Sequence, residues 1–276
     1  MLTDQTVAVV GAGNIGRALI GGLLRGGDLQ PGQIRATRRN PHALGELAAA
    51  FPGIHVGTDN AEAVDGADVV LVSVKPQGAG AVFEALRPRL SPDALVISVL
   101  AGVTTDAIAA ALGPRLAVVR AMPNTPSLVD EAATAIAPGQ HATDAHVAIA
   151  QTVFGAVGPI VEVVPEYLMD AVTGLSGSGP SYIYMVIEAL VDGGVRMGLP
   201  RPQATRLAAQ TVYGAAKLVI ETGKHPAILR DEVTTPGGTS IAAIAELEKH
   251  GLRTMLIDAV ATATRRSAEL RDVKKD

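Results

Sequence analysis

Val7-Ala8-Val9-Val10-Gly11-Ala12-Gly13-Asn14-Ile15-Gly16 is the stretch whose reading decides the fold. Four apolar residues, three of them valines, read as a buried strand. They run into G-x-G-x-x-G, and Arg17-Ala18-Leu19-Ile20-Gly21-Gly22-Leu23-Leu24-Arg25 continues with apolar residues at helical spacing. Strand, tight turn and helix in that order make an anion site. Gly11 permits the sharp turn, Gly13 lets backbone approach a pyrophosphate with no Cβ in the way, and Gly16 lets the helix lie close on the strand. The helix start adds unpaired N–H groups. Gly11, Gly13 and Gly16 are therefore candidate dinucleotide contacts.

The chain has 276 residues, 48% hydrophobic and 18% charged, which suits one large or two ordinary globular domains. A formal net charge of -4 gives no electrostatic case for nucleic acid or an anionic membrane surface. Cysteine is absent, which excludes disulfides, a thiol nucleophile and a thiolate metal site. His42, His55, His141, His146, His225 and His250 are scattered and form no metal-ligand spacing, so no metal is expected. No run approaches the roughly 18 apolar residues of a membrane span, and residues 6–10 read as strand rather than signal segment. A cytoplasmic protein is the expectation.

The first half alternates strand and helix. Strands are expected at 33–37, 56, 68–74, 95–99, 116–120, 134–137 and 160–163, with helices at 43–50, 59–64, 78–86, 105–111 and 144–157. Continuous β-branched runs between helices predict a mostly parallel, doubly wound sheet covered on both faces, a Rossmann domain. After Pro165 helices dominate, at 180–197, 202–221, 238–249 and 252–270. Ala, Gly and apolar residues on their otherwise outward faces point to contact with a second subunit. The expected division is an α/β domain at 1–165 and an all-α dimerisation domain at 166–276. The charged tail from Arg271 is expected to fray.

The second strand ends in Thr37-Arg38-Arg39-Asn40, with no carboxylate to hold a ribose 2′-hydroxyl. Arg38 and Arg39 can instead engage a 2′-phosphate through forked, charge-assisted hydrogen bonds, which favours NADPH, with NADH as the alternative cofactor. Ligands in open α/β sheets sit beyond the carboxyl ends of strands. The ends here are Ser73-Val74-Lys75-Pro76, Val99-Leu100-Ala101-Gly102 and Ala121-Met122-Pro123-Asn124-Thr125-Pro126. Lys75 either meets an anion or lies in solvent. Asn124 either orients nicotinamide or substrate or satisfies a turn. In the helical half, Leu175-Ser176-Gly177-Ser178-Gly179-Pro180 and Thr234-Thr235-Pro236-Gly237-Gly238-Thr239-Ser240 read as turns before helices. The second exposes N–H groups and hydroxyls suited to a carboxylate, or simply caps its helix.

Taken together these runs, with Ala101-Gly102-Val103-Thr104, Asp170-Ala171-Val172-Thr173-Gly174, Asp192-Gly193-Gly194-Val195, Gly198-Leu199-Pro200 and Asp231-Glu232-Val233, resemble the pyrroline-5-carboxylate reductase family over nearly the whole chain. The resemblance implies reduction of 1-pyrroline-5-carboxylate to proline with NAD(P)H, and a helical domain that interlocks with a partner in a homodimer, with decamers as the larger assembly. Matched positions imply cofactor contacts from Ala12, Gly13, Asn14, Ile15, Arg38, Asn60, Ser73, Val74, Lys75, Pro76, Val99, Leu100 and Ala101. They imply substrate contacts from Gly237, Gly238, Thr239 and Ser240, with Asn124 a further candidate. Ser240 stands where the family often has threonine, and the hydroxyl is kept.

The chemistry implied is hydride attack on a cyclic imine, which needs orientation in a water-poor cleft more than an activated nucleophile. The helix start at 237–239 would hold the carboxylate, and Ser240 or Thr239 would hydrogen-bond the ring nitrogen. A β-hydroxyacid dehydrogenase is the rival enzyme. It usually carries a catalytic lysine on the long inter-domain helix, where this chain has Glu188 and Asp192 but no lysine. A dinucleotide-sensing regulatory protein is the non-enzymatic rival, and it would leave the second pair of glycine turns without purpose.

Overall fold

The computed structural model describes residues 2–272. The opening units are β1 (Val7–Val10), α1 (Asn14–Gly26), β2 (Ile34–Thr37), α2 (Pro41–Ala50), β3 (His55–Gly57) and α3 (Asn60–Val64). They are followed by β4 (Val69–Val72), α4 (Ala79–Leu86), β5 (Leu95–Ser98), α5 (Thr105–Leu112), β6 (Ala117–Met122), β7 (Ala133–Pro138), α6 (Asp144–Gly155) and β8 (Ile160–Val163). The strands form one eight-stranded sheet in the order β3-β2-β1-β4-β5-β6-β7-β8.

The apolar strands are continuous because both faces are covered. Along β1, Val7 and Val9 enter one core with Leu19, Ile20, Leu23 and Phe154. Ala8 and Val10 enter the other, with Val70, Val72, Phe83 and Ile108. Burying such a side chain is worth about 1.5–3 kcal/mol, so a polar residue anywhere along β1 would be costly.

From β3 through β2, β1, β4 and β5 to β6 every pairing is parallel, as expected. The strand expected at 134–137 is longer and departs in direction: β7 runs antiparallel to β6, and β8 pairs parallel with β7. The reason is the connection. Residues 123–132 form a short loop with a 3-10 turn (Thr125–Val129) instead of a crossover helix, and a parallel return needs a longer path.

The next segment corrects a second expectation. The run 175–180 is not a turn that precedes a helix. Helix α7 (Met169–Val172) passes into a π-helical segment, Thr173–Gly177, and then into α8 (Gly179–Arg196). The Ser178 N–H donates to the Thr173 carbonyl at 2.8 Å, a five-residue step that widens the helix without ending it.

The remaining helices are α9 (Arg201–Thr222), α10 (Pro226–Glu232), α11 (Thr239–Lys249) and α12 (Leu252–Asp272). Of the tail expected to fray, Arg271 and Asp272 continue α12, and the rest lies outside the described residues. The chain divides into two compact units. One holds the sheet, runs to Ser178 and takes up the chain again from Thr262; the other is Gly179–Ala261.

In the second unit α8 and α9 meet through Val191, Ala204 and Ala208. A Cβ on Gly194 would stand 3.3 Å from the Ala204 Cβ, so the small residues set a close approach. This seam is narrow, and Met185 (71% exposed), Leu207 (58%), Ile220 (65%) and Ile257 (65%) remain uncovered. So much apolar surface on one small unit is the mark of an interface. No helix among the described residues is long and apolar enough to cross a membrane.

Candidate functional site

Gly11 follows β1 with φ +86°, a backbone region that disfavours a side chain. A Cβ there would come within 2.6 Å of Val74 Cγ1 and 3.0 Å of the Ser73 carbonyl oxygen. A Cβ on Gly16 would lie 3.1 Å from Val9 Cγ1, which fixes how closely α1 sits on β1. Gly13 differs: the nearest atom to its Cβ position is the Gly11 oxygen at 3.9 Å. The protein does not need a glycine there for its own packing, and the space suits a ligand's approach.

The N–H groups of this turn are divided. Gly11 N–H goes to Thr37 Oγ1 at 3.2 Å, Ala12 N–H to the Thr37 carbonyl at 2.8 Å, and Gly13 N–H to the Gly11 carbonyl at 2.7 Å. Three of the expected donors are thus held within the protein. The N–H groups of Asn14, Ile15 and Gly16 have no acceptor among the described residues, and the Gly13 N-cap brings no side chain to meet them. These orphans at the positive end of the helix are the donors left for a pyrophosphate. An open Gly13 and unsatisfied N–H groups together fit such a group.

Thr37 ends β2 beside this turn. Its hydroxyl donates to Asn60 Oδ1 at 2.7 Å, at the start of α3. Arg38 is half-buried and its N–H is held by the Gly57 carbonyl at 3.1 Å, while Arg39 is exposed. Asn40 is occupied as the cap of α2, accepting from His42 N–H at 3.0 Å. Two arginines therefore follow a strand end that has no carboxylate of its own.

Parallel neighbours bring further expected residues to the same edge. β4 lies beside β1 and β5 beside β4, so Ser73–Pro76 leaves the sheet next to Gly11 and Val99–Ala101 one strand further along the same edge. Ser73 and Val74 are half-buried; Lys75 is exposed and precedes the 3-10 turn Pro76–Gly78. Val99 is half-buried, Leu100 is buried with its N–H 3.3 Å from Ser98 Oγ, and Ala101 is exposed.

Asn124 follows β6, and both ends of its amide are engaged. Oδ1 accepts from Ala133 N–H at 3.1 Å, and Nδ2 donates to the Ser176 carbonyl at 3.1 Å. The side chain ties the loop to the π-helical segment, where the widened helix leaves a carbonyl to receive it. Of the two roles weighed from the sequence, this bonding matches the turn-satisfying one.

The second unit contains the other expected group. Gly237 has φ +69°, and a Cβ on Gly238 would collide with Thr235 Oγ1 at 2.3 Å. Gly238 is the N-cap of α11 and, like Gly13, provides no side-chain cap. The first-turn N–H groups of Thr239 and Ser240 have no acceptor among the described residues, and Ser240 is half-buried. By contrast Asp59 and Thr104 cap α3 and α5 with their own side chains. No cluster of metal-ligating side chains occurs among the described residues.

Sequence reasoning missed Thr37 and Glu166. Glu166 lies just past β8 and reaches back to Thr105 and to the buried Arg120. A hydroxyl at a strand terminus was the one available signal for Thr37; Glu166 had none.

A glycine turn that opens an uncapped helix at the carboxyl edge of a parallel sheet defines a dinucleotide-binding protein of the Rossmann type. Comparison with known proteins narrows this. Residues 166–270 match the model described as pyrroline-5-carboxylate reductase dimerisation, and residues 6–102 match that described as NADP oxidoreductase, coenzyme F420-dependent. The chain is 46% identical to a pyrroline-5-carboxylate reductase of Methanosarcina acetivorans over 98% of this chain and 99% of the relative. A solved pyrroline-5-carboxylate reductase of Coxiella burnetii superposes with TM-score 0.90 at 38% identity, covering 96% of this chain and 98% of the other. The Plasmodium falciparum pyrroline carboxylate reductase, solved with NADP bound, gives TM-score 0.86 at 26% identity over 97% and 98%. The chain belongs to the pyrroline-5-carboxylate reductase family.

Proposed function

We propose that the chain reduces the imine of 1-pyrroline-5-carboxylate to L-proline, the last step of proline biosynthesis, with NADPH as the preferred reductant and NADH as the alternative. The reading is carried by the pairing of two uncapped, glycine-opened helix starts in a family of this activity: one fits a pyrophosphate, the other a carboxylate beside a hydroxyl. A bound reduced nicotinamide supplies the hydride. The reaction balances as hydride to the imine carbon and a proton to the ring nitrogen.

The chain's own residues bind and orient. The N–H groups of Asn14, Ile15 and Gly16 hold the pyrophosphate, and Arg38 with Arg39 the 2′-phosphate. Asn60, Ser73–Pro76 and Val99–Ala101 line the dinucleotide. The α11 start, Gly237–Ser240, holds the carboxylate, and the Ser240 or Thr239 hydroxyl bonds the ring nitrogen and passes it a proton. Fixing the imine carbon against a hydride donor accounts for the rate, since no stronger chemistry is needed. Asn124 acts by positioning the π-helical segment.

We also propose a cytoplasmic homodimer formed through the helices of residues 166–276, with 1–165 as the cofactor domain and a decamer as the larger assembly. The uncovered apolar faces and the dimerisation match support the dimer. Light scattering reads the assembly directly.

The test of activity is a steady-state assay with both cofactors. NADPH absorbance is expected to fall only when pyrroline-5-carboxylate is present, with a higher kcat/KM than for NADH. Absence of imine-dependent oxidation of either cofactor would overturn the reading.

A further inference from the structure

We propose that Thr37 is a positioning residue for the dinucleotide, one hydroxyl that locks the glycine turn and the Asn60 amide into a single donor surface. The proposal rests on the cofactor reading above. Thr37 is 1% exposed, yet it makes three polar contacts with the site. Its carbonyl holds Ala12 N–H at 2.8 Å, and its hydroxyl oxygen accepts Gly11 N–H at 3.2 Å. The hydroxyl has one proton, and that proton goes to Asn60 Oδ1 at 2.7 Å.

The direction of this chain matters. With Oδ1 turned to that proton, the amide is oriented so that its NH2 group faces away from Thr37, and that group has no acceptor among the described residues. The amide is therefore fixed as a donor, matched to hydroxyl and phosphate oxygens on the adenosine side of a dinucleotide. At the other end, the same hydroxyl keeps Gly11 N–H from turning outward, which leaves Asn14, Ile15 and Gly16 as the anion donors. Replacing the hydroxyl by a methyl leaves the part-buried Gly11 N–H without its acceptor and frees the Asn60 amide to flip, while the shape of the side chain is kept.

The experiment is calorimetric titration of NADP+ into the purified protein, which needs no turnover, with a melting curve for each variant. Thr37→Val is expected to weaken NADP+ by about tenfold, and Thr37→Ser to stay within about threefold of the parent, because it keeps the donor and the acceptor. The double variant Thr37→Val with Asn60→Ala is expected to lose less than the product of the two single losses, since the pair acts as a unit. Wild-type affinity in Thr37→Val, or fully multiplicative losses, would overturn the proposal. A lowered melting point with unchanged affinity would also overturn it, because that is what a purely structural threonine would show. If Thr37→Val does not fold, Asn60→Asp decides: replacing donors by acceptors is expected to weaken NADP+ by about tenfold or more, and unchanged affinity rejects the donor role. Gly13→Glu separates the two readings. If it binds NADP+ normally, the cofactor site itself is misplaced; if it does not bind while Thr37→Val does, only the role of Thr37 falls.

Discussion

Glu166 and Thr105 are joined twice: Glu166 Oε1 accepts the Thr105 N–H at 2.8 Å, and Oε2 accepts its hydroxyl at 2.7 Å. The same Oε1 lies 3.6 Å from Nη1 of Arg120, whose side chain is 1% exposed. One carboxylate therefore holds the start of α5, just beyond the Val99–Gly102 turn, and balances a guanidinium buried in β6. Removing it takes two hydrogen bonds and a counter-charge at once. Glu166 is itself one-quarter exposed, so the cost falls below that of a fully buried pair. Glu166→Ala is expected to destabilise the fold by about 2–3 kcal/mol, and Glu166→Gln, which keeps hydrogen-bonding capacity, by less. Urea unfolding with unchanged m-values reads both.

Gly11 and Gly13 make opposite predictions although they share one turn. Gly11→Ala puts a Cβ 2.6 Å from Val74 Cγ1 at a positive φ, so it should cost about 2 kcal/mol of stability and weaken the cofactor as a consequence. Gly13→Ala meets nothing closer than 3.9 Å, so its melting temperature should hold while NADPH affinity falls by about tenfold or more. Paired melting and titration curves distinguish them. A large loss of stability in Gly13→Ala would show that this glycine serves packing.

How much was legible follows from sequence distance. The β1 turn was read correctly because its glycines, valines and helix are contiguous and each obeys a local rule. Thr37–Asn60 and Glu166–Thr105 join residues 23 and 61 apart, so only the register of the assembled sheet brings them together. The π-helical segment defeated propensity for a different reason. Ser and Gly in 175–180 read as a turn, but the Thr173 and Ser176 hydroxyls turn back to the Met169 and Val172 carbonyls inside a helix that widens without ending. The direction of β7 was equally hidden, since period and composition do not tell parallel from antiparallel.

Arg38 and Arg39 differ in burial, and that separates their effects. Arg38 is half-buried beside the strand end, so its guanidinium is better fixed than that of the exposed Arg39. Arg38→Ala should lower kcat/KM for NADPH by about tenfold and that for NADH by less than about threefold, with Arg39→Ala in the same direction but weaker. Equal losses for both cofactors would remove the arginines from discrimination.

Asp130 is the one described non-glycine residue with positive φ, at 60°. It pairs with Arg25 at 2.5 Å, but both side chains are about half exposed, at 46% and 59%. An exposed pair contributes about 0.2–1 kcal/mol, while relieving a left-handed aspartate recovers roughly as much. Asp130→Gly should therefore leave the melting temperature within about 2 °C of the parent. Asp130→Ala loses the pair and keeps the strain, so it should melt about 2–4 °C lower, for a loss of roughly 1 kcal/mol.

Ser240 tests the chemistry itself. It sits in the first turn of α11, where Gly238 provides no cap and the hydroxyl is spared from bonding the helix's own N–H groups. Ser240→Ala removes an oxygen and nothing that the fold uses, so stability and NADPH affinity should match the parent. Turnover should fall by at least about tenfold, with roughly a hundredfold the ordinary lower end for a lost proton donor. Ser240→Thr should recover most of it, since the hydroxyl returns. The KM for the imine should move less than kcat if the hydroxyl acts on the developing amine rather than on the ground state. Unchanged turnover in Ser240→Ala would shift the role to Thr239. A fall matched by lost NADPH affinity would instead mean that the substitution had disturbed the cofactor site.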